Sequence, residues 1–393
     1  MKTLKSNRLH IAFFGKTNVG KSSLINKITG QDVSIVSEIA GTTTDVVEKS
    51  MELLPIGPVT FLDTAGLDDK TELGEKRVEK TMKVLDRTDI AVIVCEPEGF
   101  DDYENDLIKD IEKLGIPYLI LVNKCDTKKN VHEDLNNAIY TSKNDDQITY
   151  KFKQALVNLL PDDFINPPKI VGDLVPEKST VILVVPIDKE APKGRIILPQ
   201  VQTIRDLLDS NCLVYTVKET ELKQALENLK TPPSLVVTDS QAFRQVSEIV
   251  PEEIPLTSFS ILFARLKGDV TAFVEGAKAI DNLKDGDMVL ILESCTHHAI
   301  EDDIGRVKIP NLLRKRTGKN LVIHNFAGHD FPDIKDYKLI IHCGACMTNR
   351  REVLSRIIKA NNAGIPITNY GIAISYCLGI LSRAIKPISN TKI

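Results

Sequence analysis

The chain has 393 residues, of which 42% are hydrophobic and 26% are charged, and its formal net charge is −4. This length suffices for two or three domains that each bury their own core. The small negative charge argues against a protein that mainly binds phosphate backbones, so we expect no nucleic-acid partner. No apolar run approaches the roughly 20 residues that span a bilayer, so we expect no membrane partner either.

The cysteines and the N-terminus indicate a cytoplasmic protein. Residues 1–8 carry charge and lead into an apolar strand, without the apolar core of a signal peptide. Seven cysteines in a chain of this length do not form the pattern of a disulfide framework. The clustered cysteines are then candidates for metal binding or redox chemistry. The scattered ones are expected to be small buried hydrophobic residues, namely Cys95, Cys125, Cys212 and Cys377.

Apolar, β-rich runs alternate with amphipathic segments of helix length, which predicts an α/β fold rich in parallel sheet. The predicted strands cover residues 10–14, 59–62, 90–95, 118–122, 181–187, 212–217, 235–238, 288–293, 321–324, 339–343 and 366–369. The predicted helices cover residues 22–29, 76–85, 104–114, 201–208 and 219–229. Proline-rich breaks at 161–168 and 251–255 divide the chain. We therefore predict three α/β domains, at residues 1–165, 166–260 and 261–393.

The first motif in the chain is a phosphate-binding loop. Residues 15–22 read Gly-Lys-Thr-Asn-Val-Gly-Lys-Ser, after an apolar strand and at the start of a helix. Gly15 and Gly20 let the backbone curl so that its N–H groups surround the phosphates. Lys21 would reach the β- and γ-phosphates, and Ser22 would ligate Mg²⁺, with Ser23 beside it in the predicted nucleotide site.

Three later motifs lie at or near strand ends and complete a predicted GTP site. Asp63 begins Asp-Thr-Ala-Gly, where its carboxylate suits the outer sphere of Mg²⁺ and the N–H of Gly66 suits the γ-phosphate. Asp126 ends Asn-Lys-Cys-Asp, and a carboxylate there can pair with guanine, so the motif selects GTP over ATP. The predicted guanine-side residues are Asn123, Lys124, Asp126, Ser142 and Lys143.

Residues 10 to about 150 resemble the GTPases of the TrmE/Era group. The resemblance makes residues 41–45 the switch I segment and Thr43 its Mg²⁺-sensing threonine. Leu67 stands where Ras-like enzymes carry a glutamine that orients water, and a leucine cannot do so by hydrogen bonding. In this group an asparagine at the position of Asn18 accompanies a K⁺ ion, which implies slow, K⁺-stimulated hydrolysis of GTP to GDP. The expected catalytic residues are Asn18, Lys21, Thr43 and Gly66.

Two cysteine clusters point to a metal site in the last domain. Cys343 and Cys346 can grip one metal ion or one edge of a cluster, and Cys295 offers a third sulfur from another strand end. The spacing alone leaves open a structural zinc site, an iron–sulfur cluster or coincidence. The fourth position is open to His297, which is our first candidate, to an exogenous ligand, or to His298, His342, Glu301, Asp302 and Asp303.

Over essentially its whole length the chain resembles the HydF family of [FeFe]-hydrogenase maturation factors, including the segment 185–202. The resemblance implies a [4Fe–4S] cluster on Cys295, Cys343 and Cys346 with a labile fourth iron site. It implies a dimerising middle domain, in a homodimer or a tetramer. It also implies a transient diiron precursor with CO, cyanide and a dithiolate bridge, which two radical-SAM maturases make and the apo-hydrogenase receives. GTP hydrolysis would act as a conformational switch. The alternatives are a zinc-stabilised regulatory GTPase of RNA modification or ribosome assembly, and a chaperone of single metal ions.

Overall fold

The computed structural model describes residues 7–30, 46–66, 82–98, 100, 102–126, 138–142, 144–165, 168–187, 196–294, 303–345 and 348–389. The chain divides into two compact units, Met1–Pro167 and Pro168–Ile393. Both units are α/β structures rich in parallel sheet, which confirms the predicted fold class. No helix among the described residues is both long and apolar enough to cross a membrane. The predicted division at residue 260 stays a prediction.

The first unit is built on one six-stranded sheet in the order β2-β3-β1-β4-β5-β6, in which only the β2–β3 pair is antiparallel. The strands are β1 (Leu9–Phe14), β2 (Val47–Leu53), β3 (Gly57–Asp63), β4 (Ile90–Cys95), β5 (Tyr118–Val122) and β6 (Ala138–Tyr140). The described helices are Lys21–Thr29, Asp102–Lys113, Ile148–Leu159 and Asp162–Ile165, with a 3₁₀ turn at Leu85–Arg87.

Strand β1 shows why this sheet has helices on both faces. All six of its residues are buried. Because side chains alternate along a strand, Ile11 and Phe13 enter one hydrophobic cluster while Ala12 and Phe14 enter another. A strand buried on both faces is apolar without interruption, which is why it was predictable from sequence. The sheet is therefore the centre of a three-layer unit, with strand ends free for polar residues.

The second unit holds two four-stranded, fully parallel sheets, in the orders β10-β9-β7-β8 and β12-β11-β13-β14. The strands are β7 (Thr180–Val184), β8 (Leu213–Val217), β9 (Leu235–Thr238), β10 (Leu256–Ser258), β11 (Met288–Glu293), β12 (Val322–Ala327), β13 (Tyr337–His342) and β14 (Ile367–Asn369). One hydrophobic cluster of the described residues, from Ile170 to Ile388, runs through both sheets.

The helices of the second unit are Leu198–Asp209, Leu222–Glu227, Phe243–Ile249, Phe259–Lys267, Val270–Lys278, Ile309–Thr317, Arg350–Asn362, Tyr370–Cys377 and Leu381–Ser389. Short 3₁₀ turns lie at Glu219–Glu221 and Ala279–Asn282, and a π-helical turn at Ile304–Lys308. Two strands pass directly into helices through side-chain caps. Ser258, the last residue of β10, accepts from the N–H of Ile261, and Asn369, the last of β14, accepts from the N–H of Ile372.

Candidate functional site: a nucleotide loop and a cysteine loop

The phosphate loop joins β1 to the helix Lys21–Thr29, and its shape requires glycine at both ends. A Cβ on Gly15, whose φ is 146°, would lie 2.2 Å from the carbonyl oxygen of Val94. A Cβ on Gly20, whose φ is 97°, would lie 2.4 Å from Nδ2 of Asn123. Because both positions combine a positive φ with a close neighbour, any side chain there would distort the loop.

Lys21 is folded into the loop rather than extended into solvent. Its side chain is buried, and Nζ donates to the carbonyl oxygens of Gly15 at 2.8 Å and Lys16 at 2.7 Å. These hydrogen bonds hold the ammonium inside the loop, where it can bind an anionic phosphate. Asn18, at the exposed tip, has a φ of 63°. Ser23 is exposed on the following helix.

The two residues predicted near Mg²⁺, Ser22 and Asp63, are in direct contact. Ser22 Oγ donates to Asp63 Oδ2 at 2.7 Å. Asp63 is buried, and among the described residues its Oδ1 has no hydrogen-bond partner. A buried carboxylate oxygen without a donor fits a hydrated metal ion, so these residues suit Mg²⁺. Gly66 lies against the loop as well, since a Cβ there would be 2.1 Å from Thr17 Oγ1.

The guanine side is held together by hydrogen bonds between strand ends. Asn123 Nδ2 donates to the carbonyl oxygen of Val19 at 2.8 Å, which ties the end of β5 to the phosphate loop. Lys124, with a φ of 62°, pairs with Glu96 at 2.7 Å. The N–H of Cys125 donates to the Thr141 carbonyl, which brings the segment containing Ser142 beside the motif. Asp126 is exposed, as a base-binding carboxylate must be. Thr43, Leu67 and Lys143 lie outside the described residues.

Of the three predicted cluster ligands, the structure describes Cys343. It follows β13 directly, its N–H donates to the Leu292 carbonyl at 2.8 Å, and its side chain is half-buried. The backbone N–H of Ser294, just beyond β11, donates to Cys343 Sγ at 3.2 Å. The first residues after β11 and β13, Ser294 and Cys343, which lead into the two predicted cysteine loops, are therefore in contact.

The other predicted metal ligands are mostly outside the described residues, namely Cys295, His297, His298, Glu301, Asp302 and Cys346. Among the described residues no group of three or more His, Cys, Asp or Glu side chains is arranged to hold a metal ion. Asp303 is buried, and its Oδ1 caps the π-helical turn by accepting from the N–H of Arg306 at 2.8 Å. That bond leaves Asp303 engaged in local structure. Cys95 and Cys212 are buried, whereas Cys125 and Cys377 are half-buried.

His342 is the last residue of β13, and both of its ring nitrogens are engaged. Nδ1 lies 2.8 Å from the carbonyl oxygen of Cys343, and Nε2 lies 2.9 Å from Nη1 of Arg356. A carbonyl only accepts and a guanidinium only donates, so the proton is on Nδ1. Burial, assisted by the Arg356 charge, lowers the pKa of His342 to about 4. In this arrangement His342 orients the loop and has no free nitrogen for a metal.

Sequence reasoning missed two buried cations near the cysteine loops, Lys267 and Arg356. Lys267 is 3% exposed, and its Nζ donates to the carbonyl oxygens of Ala345 at 2.7 Å and Thr348 at 2.9 Å, which flank the segment containing Cys346. Each lies in a helix that carries other basic residues as well, so its charge does not stand out in the sequence. The available signal was the position of Arg356 in the sequence, among the apolar residues Val353 and Ile357 that form the buried face of its helix.

Comparison with known proteins defines the class first and then the family. Residues 10–124 match the family model of the 50S ribosome-binding GTPase, so the first unit is a GTPase domain of the P-loop class, with GTP or GDP and Mg²⁺ as its ligands. Residues 170–268 match the hydrogen maturase F dimerization domain, and residues 271–387 match the hydrogen maturase F tetramerization domain. The chain belongs to the hydrogen maturase F (HydF) family.

Two curated GTPases are each similar to part of this chain. The tRNA modification GTPase MnmE of Mesoplasma florum is 34% identical over 181 residues, which are 44% of this chain and 39% of the relative. GTPase Der of Kosmotoga olearia is 36% identical over 136 residues, which are 33% of this chain and 30% of the relative. The chain thus spans well under half the length of these relatives. Aquifex aeolicus Era bound to GDP.AlF4- matches with a TM-score of 0.34 and 18% identity, over 53% of this chain and 93% of that one.

Proposed function

We propose that this chain is a maturation GTPase of [FeFe]-hydrogenase. In this proposal it binds a [4Fe–4S] cluster, carries the diiron precursor with its CO, cyanide and dithiolate groups, and passes that precursor to the apo-hydrogenase. Two radical-SAM maturases are the proposed source of the precursor. The observation that carries the proposal is the match of residues 170–268 and 271–387 to the two oligomerisation domains of hydrogen maturase F, behind a GTPase domain.

The nucleotide loop supports GTP hydrolysis as the switch of this system. Lys21 and the loop N–H groups would bind the phosphates, while Ser22 and Asp63 would hold Mg²⁺. Asn18, exposed at the loop tip, is the proposed partner of an activating K⁺ ion, and Thr43 and Gly66 are the proposed sensors of the γ-phosphate. Loss of that phosphate releases the switch segments, which gives hydrolysis a conformational consequence. Oligomerisation as a dimer or a tetramer is proposed because the chain matches a dimerization domain and a tetramerization domain.

The cysteine loops support a cluster site. Cys295, Cys343 and Cys346 would supply three thiolates, and an iron–sulfur cluster bound there would supply an iron with an exchangeable position. Cys343 already receives an N–H hydrogen bond on its sulfur from Ser294, and such bonds are a usual feature of cluster cysteines because they stabilise sulfur-centred negative charge. Among the proposed fourth ligands, His297 remains our first candidate, since His342 and Asp303 are committed to other partners.

The test is anaerobic purification of the full chain with analysis of iron, inorganic sulfide and zinc. We expect a brown protein with iron and sulfide. In C343A the colour and the iron should be lost while GTP hydrolysis persists, with faster turnover in KCl than in NaCl for both proteins. The matched control is C377A, which removes a half-buried thiol from the same unit. A colourless wild-type protein that contains zinc would refute the cluster and favour the zinc-stabilised regulatory GTPase. Iron retained by C343A would remove that residue from the ligand set.

A further inference from the structure

One buried arginine binds the carboxyl ends of three neighbouring strands. Arg356, on the helix Arg350–Asn362, is 2% exposed. Its Nη1 donates to Ser294 Oγ at 3.3 Å and to His342 Nε2 at 2.9 Å, and its Nη2 donates to the carbonyl oxygen of Gly328 at 2.8 Å. Ser294 follows β11, Gly328 follows β12 and His342 ends β13. A single planar guanidinium therefore bridges these three strand ends.

The arginine is held in place by a buried ion pair. Glu352, one turn earlier on the helix and 3% exposed, accepts from Arg356 Nη2 at 2.8 Å through Oε1. Its Oε2 lies 3.0 Å from Nδ1 of His329. A buried ion pair adds little net stability, because the desolvation of both charges offsets their attraction. Its benefit here is geometric, since the carboxylate fixes the direction in which the guanidinium presents its donors.

Ser294 links this arginine to the cysteine loops. It is the residue before Cys295, and its N–H donates to Cys343 Sγ at 3.2 Å. The distance from its Oγ to Cys343 Sγ is 3.4 Å. Arg356 is thus hydrogen-bonded to Ser294, which contacts Cys343 and precedes Cys295 in the sequence. Moving Ser294 would change the separation between the sulfur of Cys343 and the start of the other cysteine loop.

We propose that Arg356 is a positioning residue of the cysteine site: it holds Ser294 and His342, the residues that precede Cys295 and Cys343, in the positions that metal binding needs. The inference rests on the proposed function, because it takes these cysteines as the metal ligands. Removing a residue that orients ligands typically lowers metal affinity about 10- to 100-fold. A lysine keeps the charge but not the planar fork of parallel donors, so it does not replace the arginine.

The experiment titrates the metal-free full chain with Co²⁺ under anaerobic conditions and follows the sulfur-to-cobalt charge-transfer absorption. We expect R356Q to bind Co²⁺ about 10- to 100-fold more weakly than wild type. R356K should resemble R356Q, and S294A should bind more weakly than wild type by a smaller factor. The matched control is R383Q, because Arg383 is also mostly buried and donates to backbone carbonyls, but those of Ser247, Val250 and Pro251. It should bind Co²⁺ as wild type does.

Each outcome decides the question. Wild-type affinity in R356Q, or in R356K while R356Q is weak, would overturn the positioning role and leave the proposed function standing. Equal weakening in R383Q would reduce the effect to general destabilisation and overturn it as well. If R356Q does not fold, S294A decides alone, and unchanged affinity there overturns the inference. A wild-type protein without thiolate–cobalt absorption, indistinguishable from C343A, would refute the metal site itself and this inference with it.

Discussion

The burial of neutral His342 makes the stability of the second unit depend on pH in a defined direction. Burial and the nearby Arg356 charge lower its pKa from 6.5 to about 4. Above pH 6.5 the imidazole is neutral in the folded and unfolded chain, so its contribution is complete. As the pH falls below 6.5 the unfolded imidazole gains a proton that the folded one does not, and stability declines until about pH 4.

The size of this effect follows from the pKa difference. Each pKa unit corresponds to about 1.36 kcal/mol, so the shift from 6.5 to about 4 amounts to about 3 kcal/mol of unfolding free energy. We expect wild type to lose this amount between pH 7 and pH 4 relative to H342Q, whose amide stays neutral. The comparison cancels the contribution of the carboxylates that titrate in both proteins. Asp281 is one of these, and a hydrogen bond from Arg316 lowers its pKa.

The assay is urea unfolding of the metal-free, nucleotide-free chain, read by hydrogen exchange of peptides that cover β13. This local probe is needed because the chain has no tryptophan and two compact units that need not unfold together. H342Q will be less stable at pH 7, since it loses the donor to the Cys343 carbonyl. A stability difference between the two proteins that stays constant from pH 7 to pH 4 would refute the reasoning.

Two further predictions concern the nucleotide loop and the cysteine loop. G20A should lose GDP binding in a fluorescent-nucleotide titration, because its Cβ would lie 2.4 Å from Asn123 Nδ2. The control G30A should keep GDP binding, since Gly30 also has a positive φ but a Cβ there would have nothing within 4 Å. Equal binding by both variants would contradict the steric argument. K267M should lower the unfolding free energy by about 1.5–3 kcal/mol, because two buried carbonyls lose a charged donor. The control K278M breaks only an exposed pair with Glu275, worth about 1 kcal/mol at most, and equal losses in both variants would be inconsistent with the contacts.

Sequence patterns predicted most of the parallel strands, including the largely exposed β8 and β12, and missed β2, β6 and β10. The bounds predicted for β4, β5, β9 and β11 are those observed, because a strand buried on both faces is an uninterrupted apolar run. Strand β2 (Val47–Leu53) was missed, since all its residues but the last are exposed or half-buried and its charged side chains hide any alternation. Strands β6 and β10, with three residues each, were also missed.

The candidate sites divide in the same way. Motifs that act through spacing, such as the phosphate loop, were visible as spacing in the sequence. Contacts made across the fold were not, because nothing local marks Arg356 as the partner of Ser294 and Gly328, 62 and 28 residues away. The role of Lys267 is equally non-local, since its acceptors lie 78 and 81 residues further along the chain.

The helix Phe259–Lys267 connects the two sheets of the second unit. Ser258 of β10 caps its first turn, and the ammonium of Lys267, its last residue, donates to the carbonyl oxygens of Ala345 and Thr348, which lie on either side of Cys346 in the sequence. Nine helical residues form a rod about 14 Å long that resists compression. Strand β10 is an outer strand of its sheet. A displacement of β10 along the helix axis would therefore be passed by this helix to the backbone at Ala345 and Thr348.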